Sequence, residues 1–199
     1  MKILITGAAG MLGSHLSELL LNKKYKVIGI DNLSVGKISS LSNCNNNKNF
    51  SFYKFDVRKK KKLEKISKTC DAIIHLAAVK KVSESQSSFD TLDVNINSTR
   101  YILDIAKKYK IKLIFASTLD VYGTSNKIPF NENQDIVLGQ SLAKRWSYAV
   151  SKLYCEHLCY CFYKDFKVNI TILRYFGGFS EKSSFTWSGG HIPIFIKQL

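Results

Sequence analysis

Six short apolar runs recur along the chain, and patterns with helical spacing separate most of them. The runs have the length and residue types of β-strands and cover residues 2–6, 26–30, 50–55, 71–78, 112–117 and 169–176. Apolar residues at helical spacing predict helices over residues 11–23, 95–109 and 147–165. Strands that alternate with helices form parallel β-α-β units, so the pattern predicts an α/β fold with a doubly wound parallel sheet. The asparagine-rich residues 42–49 are predicted to form a loop.

The composition is that of a globular protein with a strong excess of positive charge. The 199 residues are 45% hydrophobic, which is enough for one domain with a substantial core. The net charge is +15, from 30 Lys and Arg against 15 Asp and Glu. A basic surface attracts phosphate, but the charge is mostly scattered lysine, without zinc-finger spacing, a leucine heptad or an aromatic RNA-binding motif. We therefore expect no nucleic-acid partner and interpret the densest basic run, residues 58–62, as a solvated surface.

The cysteines and apolar runs bear on the cellular compartment. The five cysteines form no C-x-x-C pair, and three of them lie on the predicted helix 147–165, where they are interpreted as small core residues. The odd count and the lack of a secretory signal favour a reducing, cytoplasmic location. Since no apolar run approaches the length of a membrane span, we expect no membrane partner, and no metal site is predicted.

A glycine-rich segment joins the first predicted strand to the first predicted helix. Gly7, Gly10 and Gly13 have the spacing G-x-x-G-x-x-G. Glycines at such a junction allow a tight turn, a close backbone approach to a pyrophosphate and close packing of helix on strand. The helix N-terminus then offers free N–H groups to an anion. The segment therefore predicts a dinucleotide site.

An acidic residue, Asp31, ends the second predicted strand, 18 residues after Gly13. A carboxylate at this distance accepts hydrogen bonds from the hydroxyls of the adenosine ribose and repels a 2′-phosphate. It therefore predicts NAD rather than NADP. The alternative interpretation is that Asp31 is a turn residue before Asn32.

Tyr148 and Lys152 lie four residues apart on the last predicted helix. Both side chains titrate near pH 10 when free, at about 10 and 10.4, so neither is an obvious acid or base at neutral pH. By itself the pair is typical of many helix faces and predicts no chemistry.

Eight segments together resemble the extended short-chain dehydrogenase/reductase family, and within it the NAD-dependent nucleotide-sugar epimerases, dehydratases and decarboxylases. They follow the family's order and are TGAAGMLGSHL, IDNLSVGK, FDVR, IIHLAAVKKV, DVNINSTRYIL, ASTLDVYG, YAVSK and LRYF. The resemblance covers nearly the whole chain and implies a Rossmann fold, NAD as cofactor and a nucleotide sugar as substrate. A homodimer is compatible with it.

The resemblance also implies site residues. Tyr148 and Lys152 match the family's Tyr-x-x-x-Lys pair, with Thr118 as the third catalytic member and Asp120 beside it. A nearby ammonium and the positive nicotinamide are expected to lower the tyrosine pKa toward neutrality, so that Tyr148 takes the proton of a sugar hydroxyl. Asn95 is expected to help hold the active-site helix. The implied cofactor-binding positions are Gly7, Gly10, Met11, Leu12, Gly13, Asp31, Asn32, Asp56, Val57, Leu76, Ala77, Ala78, Lys80, Asn95, Tyr148 and Lys152.

The residues after Thr118 bear on the type of reaction. Dehydratases of this family carry an Asp-Glu pair there, and decarboxylases usually carry Ser-Glu, whereas this chain has Leu119 and Asp120. Leucine cannot donate a proton, which disfavours elimination, and it lacks the serine hydroxyl. Epimerisation at carbon 4 of a UDP- or dTDP-hexose, through a 4-keto intermediate, requires only NAD with Thr118, Tyr148 and Lys152. We therefore predict an epimerase. A UDP-uronic acid decarboxylase and a non-catalytic NAD-binding protein are the alternatives.

The end of the chain departs from the family. Residues 1–176 are predicted to form the NAD-binding domain, and residues 177–199 resemble the start of a substrate-binding region that continues in other members. The chain is therefore expected to be truncated or an unusually short relative. Gly177 stands where relatives often have asparagine, and it either leaves room for a substrate group or forms a turn.

Overall fold

The computed structural model describes residues 1–80, 88–183 and 191–198. Within them six strands form one sheet in the order β3-β2-β1-β4-β5-β6, and every neighbouring pair is parallel. The strands are β1 Lys2–Thr6, β2 Lys26–Asp31, β3 Phe50–Lys54, β4 Ala72–His75, β5 Lys112–Thr118 and β6 Ile170–Tyr175. This confirms the predicted α/β fold. The strand order reverses direction between β1 and β4, and ligands of such sheets bind at the carboxyl ends of the strands at this point.

Helices follow most of the strands. They are α1 Met11–Asn22, α2 Ser42–Asn45, α3 Lys60–Ser67, α4 Ser88–Tyr109, α5 Trp146–Phe166 and α6 His191–Gln198, with short 3-10 turns at Ile38–Leu41 and Leu119–Tyr122. No helix in the described ranges is long and apolar enough to cross a lipid bilayer.

The sheet is buried on both faces because successive strand residues point to opposite sides. Leu4 of β1 belongs to the core layer formed with α3, α4 and α5. Its neighbours Ile3 and Ile5 belong to the other layer, which α1 and α2 cover. These two layers fix the sheet between helices and hold its carboxyl edge in place for a ligand.

Three of the predicted segments differ in the structure, and α6 was not predicted. The predicted loop 42–49 contains the short helix α2, because Leu41 and Cys44 are fully buried and anchor it against the sheet. β4 ends at His75 rather than at residue 78, and the residues after it form a loop. α4 begins at Ser88, earlier than predicted. The division of the chain at residue 176 stays a prediction.

Candidate active site

The turn between β1 and α1 requires glycine at two positions. Gly7 has a φ of +73°, and a Cβ there would lie 2.8 Å from the backbone nitrogen of Ala77. A Cβ on Gly13 would lie 2.7 Å from the Cα of Ala8 and closer still to the carbonyl oxygen of Gly7. The helix therefore packs directly on the turn, as the glycine spacing predicted. Its N-cap, Gly10, supplies no side-chain hydrogen bond, so the first N–H groups of α1 are available to an anion.

Asp31, at the end of β2, stabilises this turn through hydrogen bonds to backbone N–H groups. One carboxylate oxygen accepts from the backbone N–H of Ala9 at 2.9 Å, and the other accepts from that of Leu33 at 2.8 Å. Asp31 is therefore a turn residue, as in the alternative interpretation, and it also borders the cavity beside the glycine turn. Each carboxylate oxygen has capacity for a second hydrogen bond. This stabilising role and the predicted contact with a ribose are compatible.

A cleft of about 1050 Å³ runs along the carboxyl edge of the sheet from α1 to α5. A smaller cavity of about 140 Å³ adjoins it beside Asp31. The predicted site residues on the large cleft are Gly10, Met11, Leu12, Leu76, Ala78, Lys80, Thr118, Tyr148 and Lys152. Those on the small cavity are Gly7, Gly10, Asp31, Asn32, Asp56, Val57, Leu76, Ala77 and Ala78. The other predicted site residues, Gly13, Asn95 and Asp120, line neither cavity and contact residues that do.

The glycine turn, the N-terminus of α1 and Asp31 together fit a dinucleotide. Glycine backbone at the turn, an uncapped helix N-terminus and a carboxylate at the end of β2 are the three features that a pyrophosphate and its ribose need. Asp56, an implied cofactor-binding residue, already has a partner in the protein. Its carboxylate accepts two hydrogen bonds from the Arg58 side chain, at 3.0 and 2.7 Å. These bonds lower the pKa of Asp56 and commit most of its acceptor capacity. No cluster of metal-binding side chains occurs in the described part of the chain.

Three of the four predicted catalytic residues line the same cleft, and the fourth, Asp120, hydrogen-bonds one of them. Thr118 ends β5, and Tyr148 and Lys152 lie one turn apart near the start of α5. Lys152 is 3% exposed, and its ammonium donates to the carbonyl oxygen of Ala116 at 2.7 Å. Burial lowers the pKa of Lys152 to about 8, so the group is still mostly protonated at neutral pH.

Tyr148 differs in direction from the sequence expectation. Burial, together with the nearby carboxylate of Asp120, raises its pKa to about 12, and a hydrogen bond with Thr118 opposes the shift only in part. The Lys152 ammonium lies 5.9 Å from the centre of the tyrosine ring and donates its hydrogen bond to the carbonyl oxygen of Ala116 instead of to the phenol. The protein alone therefore holds Tyr148 as a neutral phenol.

Asp120 is paired within the site. The hydroxyl of Thr118 donates to a carboxylate oxygen of Asp120 at 3.1 Å and accepts from its backbone N–H at 3.2 Å. The ammonium of Lys80 lies 3.9 Å from the same carboxylate and 5.8 Å from the centre of the Tyr148 ring. Lys80, Asp120 and Thr118 thus form a connected polar group next to the phenol.

Asn95 connects the loop after β4 to α5. Its side-chain oxygen accepts from the N–H of Val79 at 2.8 Å. Its amide nitrogen donates to the oxygen of Val79 at 3.0 Å and to the hydroxyl of Ser151 at 2.9 Å. Ser151 immediately precedes Lys152, so this bond ties Asn95 to the start of α5.

The sequence analysis missed a partly buried ion pair beside the site. Arg174 of β6 binds Glu156 of α5 with an Nη2–Oε2 distance of 2.7 Å, and Ser117 donates to the same carboxylate. Glu156 lies one turn after Lys152, and Ser117 precedes Thr118. The network therefore joins β5 and β6 to the catalytic helix. No local spacing indicates this pair, because Glu156 and Arg174 lie 18 residues apart on different elements.

The segment after β6 crosses back to α1. Ser183 contacts the sulfur of Met11 at 2.9 Å, and Lys182 forms an ion pair with Glu18. Gly177 has a φ of +57°, which favours glycine, and no atom lies within 4 Å of the position that a Cβ would occupy there. The interpretation of Gly177 as a turn residue therefore has a backbone reason.

The sequence model of the NAD dependent epimerase/dehydratase family matches residues 3–199. The chain belongs to this family. It is 34% identical to the UDP-N-acetyl-alpha-D-glucosaminuronate decarboxylase of Bacillus cytotoxicus over 98% of this chain and 60% of that protein. The family assignment confirms the resemblance seen in the sequence motifs.

Solved structures give the same family. The UDP-N-acetylglucosamine 4-epimerase of Methanobrevibacter ruminantium, in complex with UDP-N-acetylmuramic acid, is 31% identical with a TM-score of 0.89, over 98% of this chain and 61% of that one. The UDP-glucuronic acid 4-epimerase of Bacillus cereus, in complex with NAD, is 33% identical with a TM-score of 0.81, over 93% of this chain and 60% of that one. The predicted cofactor, NAD, agrees with the family and with this complex.

The chain spans about 60% of the length of these relatives. The roles of the individual site residues, a homodimer and a cytoplasmic location stay predictions.

Proposed function

We propose that the protein is an NAD-dependent epimerase that inverts carbon 4 of a UDP- or dTDP-linked hexose through a 4-keto intermediate. The observation that carries the proposal is the meeting of Thr118, Tyr148 and Lys152 on one cleft that continues to the open N-terminus of α1. Solved relatives named as 4-epimerases of UDP-sugars support it. The family's other reactions need acids or bases in addition to this set.

Each residue of the set has one task. NAD, when bound, supplies the acceptor and donor of hydride. Tyr148 exchanges a proton with the hydroxyl on the carbon that is oxidised, and Thr118 hydrogen-bonds the same sugar oxygen and orients it. Lys152, charged at neutral pH, would hold the nicotinamide ribose and favour the phenolate of Tyr148.

The neutral phenol of Tyr148 is the form that donates a proton. Because burial raises its pKa to about 12, the protein alone is poised for the step that returns the proton to the sugar. Taking a proton requires a positive charge beside the ring, which lowers the pKa of a phenol. Two ammonium groups of the protein lie near the ring, that of Lys80 at 5.8 Å from the ring centre and that of Lys152 at 5.9 Å.

Decarboxylation of a UDP-uronic acid is the second candidate. A relative of 34% identity carries the name of a sugar-acid decarboxylase, and the Lys80 ammonium beside Asp120 offers a positive charge near the reacting sugar. Against it, Leu119 lacks a hydroxyl, and the Asp120 carboxylate is already paired with Thr118 and Lys80. Dehydration is disfavoured because Leu119 cannot protonate a leaving hydroxyl.

The test is to incubate the purified chain with NAD and a panel of UDP- and dTDP-hexoses and uronic acids, and to analyse the nucleotide sugars by mass spectrometry. We expect a product of unchanged mass and altered retention, without net NADH. Loss of the mass of carbon dioxide would replace the proposal with decarboxylation, and loss of the mass of water with dehydration. Binding of NAD without any product would favour the non-catalytic alternative.

A further inference from the structure

The lysines that look scattered in the sequence lie together at one edge of the sheet. All strands of a parallel sheet begin at the same edge, opposite the carboxyl edge that holds the cleft. Nine lysines stand at strand starts or in the turns that lead into them: Lys2, Lys23, Lys24, Lys26, Lys48, Lys68, Lys110, Lys112 and Lys167. We call this set the amino edge. Lys2 is half-buried and the other eight are exposed.

The amino edge is level and broad. Lys26 pairs in register with Lys2, and Lys112 pairs with Ala72, which itself pairs with Ile3. The strand starts therefore differ by about one residue, or roughly 3.3 Å. Lysines in the turns after α1, on one face of the sheet, and after α4 and α5, on the other, widen this central row into a surface.

Few carboxylates oppose these charges. Asp71 accepts a hydrogen bond from the backbone N–H of Lys2, and Asp165 lies in the last turn of α5. Among the described residues, none of the nine ammonium groups forms an ion pair with a carboxylate. The amino edge therefore carries about half of the net charge of +15.

Three of these lysines occupy backbone positions that favour glycine. Lys24, Lys110 and Lys167 follow the ends of α1, α4 and α5 with φ values of 61°, 56° and 58°. Only one other non-glycine residue of the described chain, Leu33, has a positive φ. A helix usually ends with glycine in this left-handed conformation, because a Cβ makes it unfavourable. A cation at a helix C-terminus recovers part of this energy. The repetition at exposed positions on one edge points to a use of the charges beyond the fold.

We propose that the amino edge is a docking surface for an anionic lipid bilayer, which the protein contacts peripherally through its lysine ammonium groups. Because the strand starts are nearly level, a flat anionic surface can approach the lysines of the strands and of the turns at the same time. All of them would then lie within the electrostatic screening length of about 8–10 Å. A nucleic-acid duplex is a cylinder and would contact fewer rows. The nine cations are all lysine, a strongly hydrated point charge that lacks the fork with which arginine reads phosphates and bases.

This proposal revises the expectation of no membrane partner. That expectation followed from the lack of a long apolar run, which bears on spanning and not on a charged surface. Docking by the amino edge would leave the cleft at the opposite edge facing the solvent.

The test is co-sedimentation of the purified chain with vesicles made of equal amounts of phosphatidylglycerol and phosphatidylcholine, compared with vesicles of phosphatidylcholine alone. We expect binding to the anionic vesicles only, and loss of binding at high salt. The variant Lys24→Gly/Lys110→Gly/Lys167→Gly should bind about 100-fold more weakly, since each lysine near an anionic surface contributes roughly fivefold. The same variant should melt at a higher temperature, because glycine suits these three positions.

The control variant is Lys59→Gln/Lys61→Gln/Lys127→Gln, which removes three exposed lysines at or near the carboxyl edge. It should keep most of the binding. Equal losses in the two variants would overturn the proposal in favour of a diffuse effect of net charge. No binding of the wild-type chain to the anionic vesicles would also overturn it, as would tighter binding to a DNA duplex than to the vesicles at the same salt concentration.

Discussion

At the carboxyl edge of the sheet, Gly7 and Gly13 stand where a side chain would meet backbone atoms, whereas at the amino edge Lys24, Lys110 and Lys167 stand where the backbone favours glycine. At the carboxyl edge, the lack of side chains at these glycines allows the backbone to approach a ligand's phosphates closely. The amino edge keeps long cationic side chains despite an unfavourable conformation. With the proposed docking role, the two ends of one parallel sheet have separate requirements, close approach at one and charge at the other.

Lysine itself shows the same contrast. Lys152 at the carboxyl edge is buried, donates to Ala116, and has its pKa lowered to about 8 by burial. Lys26 and Lys112 at the amino edge are exposed at strand starts. A buried lysine is held in one geometry and titrates near neutrality, which suits chemistry. An exposed lysine is a mobile charge, which suits attraction over a distance.

The largest expected effect is at the phenol of the carboxyl edge. Tyr148→Phe should reduce turnover of the nucleotide sugar by about 10²–10⁴-fold, because it removes the proton exchanged with the sugar. NAD binding should be nearly unchanged, as measured by calorimetric titration beside initial rates. Tyr154→Phe is the matched control, since Tyr154 is 49% exposed on the same helix, and it should have no effect. Undiminished turnover of Tyr148→Phe would contradict the mechanism.

The next effect tests close approach in the glycine turn. Gly13→Ala should lower the free energy of unfolding by about 1–3 kcal/mol, because the added methyl group meets the backbone of Ala8 and Gly7. It should also weaken NAD binding by displacing α1 from the turn. Chemical denaturation and NAD titration measure the two effects.

Gly178→Ala, at a glycine that lines the large cleft, is the control for Gly13→Ala. Its Cβ would lie 3.7 Å from the end of the Met11 side chain, an ordinary contact, so both quantities should stay close to wild type. If the two variants behaved alike, the steric account of Gly13 would be wrong.

Local patterns predicted most of the fold, whereas the catalytic roles at the carboxyl edge followed from the family resemblance and stay predictions. The glycine spacing indicated the turn that α1 packs on, and Tyr148 with Lys152 lay four residues apart on a predicted helix. The helix α2 was missed because asparagine disfavours helices in isolation, while the buried contacts of Leu41 and Cys44 are tertiary.

Features that depend on distant segments could not be predicted in this way. The Arg174–Glu156 pair joins β6 to α5, and Asp31 reaches back to Ala9 across a turn. The amino edge is the clearest example, because its lysines are spread over the sequence and meet only when parallel strands begin at one level. The shift in the pKa of Tyr148 likewise depends on burial and on Asp120, which the sequence alone does not place.

A pH effect should distinguish the buried lysine from the exposed ones. Below about pH 8, Lys152 is charged in both the folded and the unfolded chain, so folding bears the full cost of burying the charge. Between about 8 and the ordinary pKa of 10.5, the folded protein releases this proton while the unfolded chain keeps it, so stability rises with pH. Lys152→Met lacks this contribution. From pH 7.5 to pH 10, the stability of wild type relative to the variant should therefore rise, by roughly 2–3 kcal/mol. Urea denaturation at the two pH values measures the change, and a constant difference would mean that Lys152 is not buried as a cation.

The smallest effect concerns a single residue of the amino edge. Lys24→Gly should raise the free energy of unfolding by up to about 1 kcal/mol, because Lys24 has a φ of 61° and glycine adopts this conformation without a Cβ clash. Loss of a cation from the C-terminal end of α1 offsets part of the gain.

Lys23→Gly is the matched control, since it removes the same charge from the preceding residue, whose φ is −80°. There glycine relieves nothing and adds freedom to the unfolded chain, so the stability should fall by about 0.5–1 kcal/mol. Opposite signs for these two neighbours in thermal denaturation would show that the amino edge retains lysine where the fold alone would favour glycine, and equal signs would remove that argument.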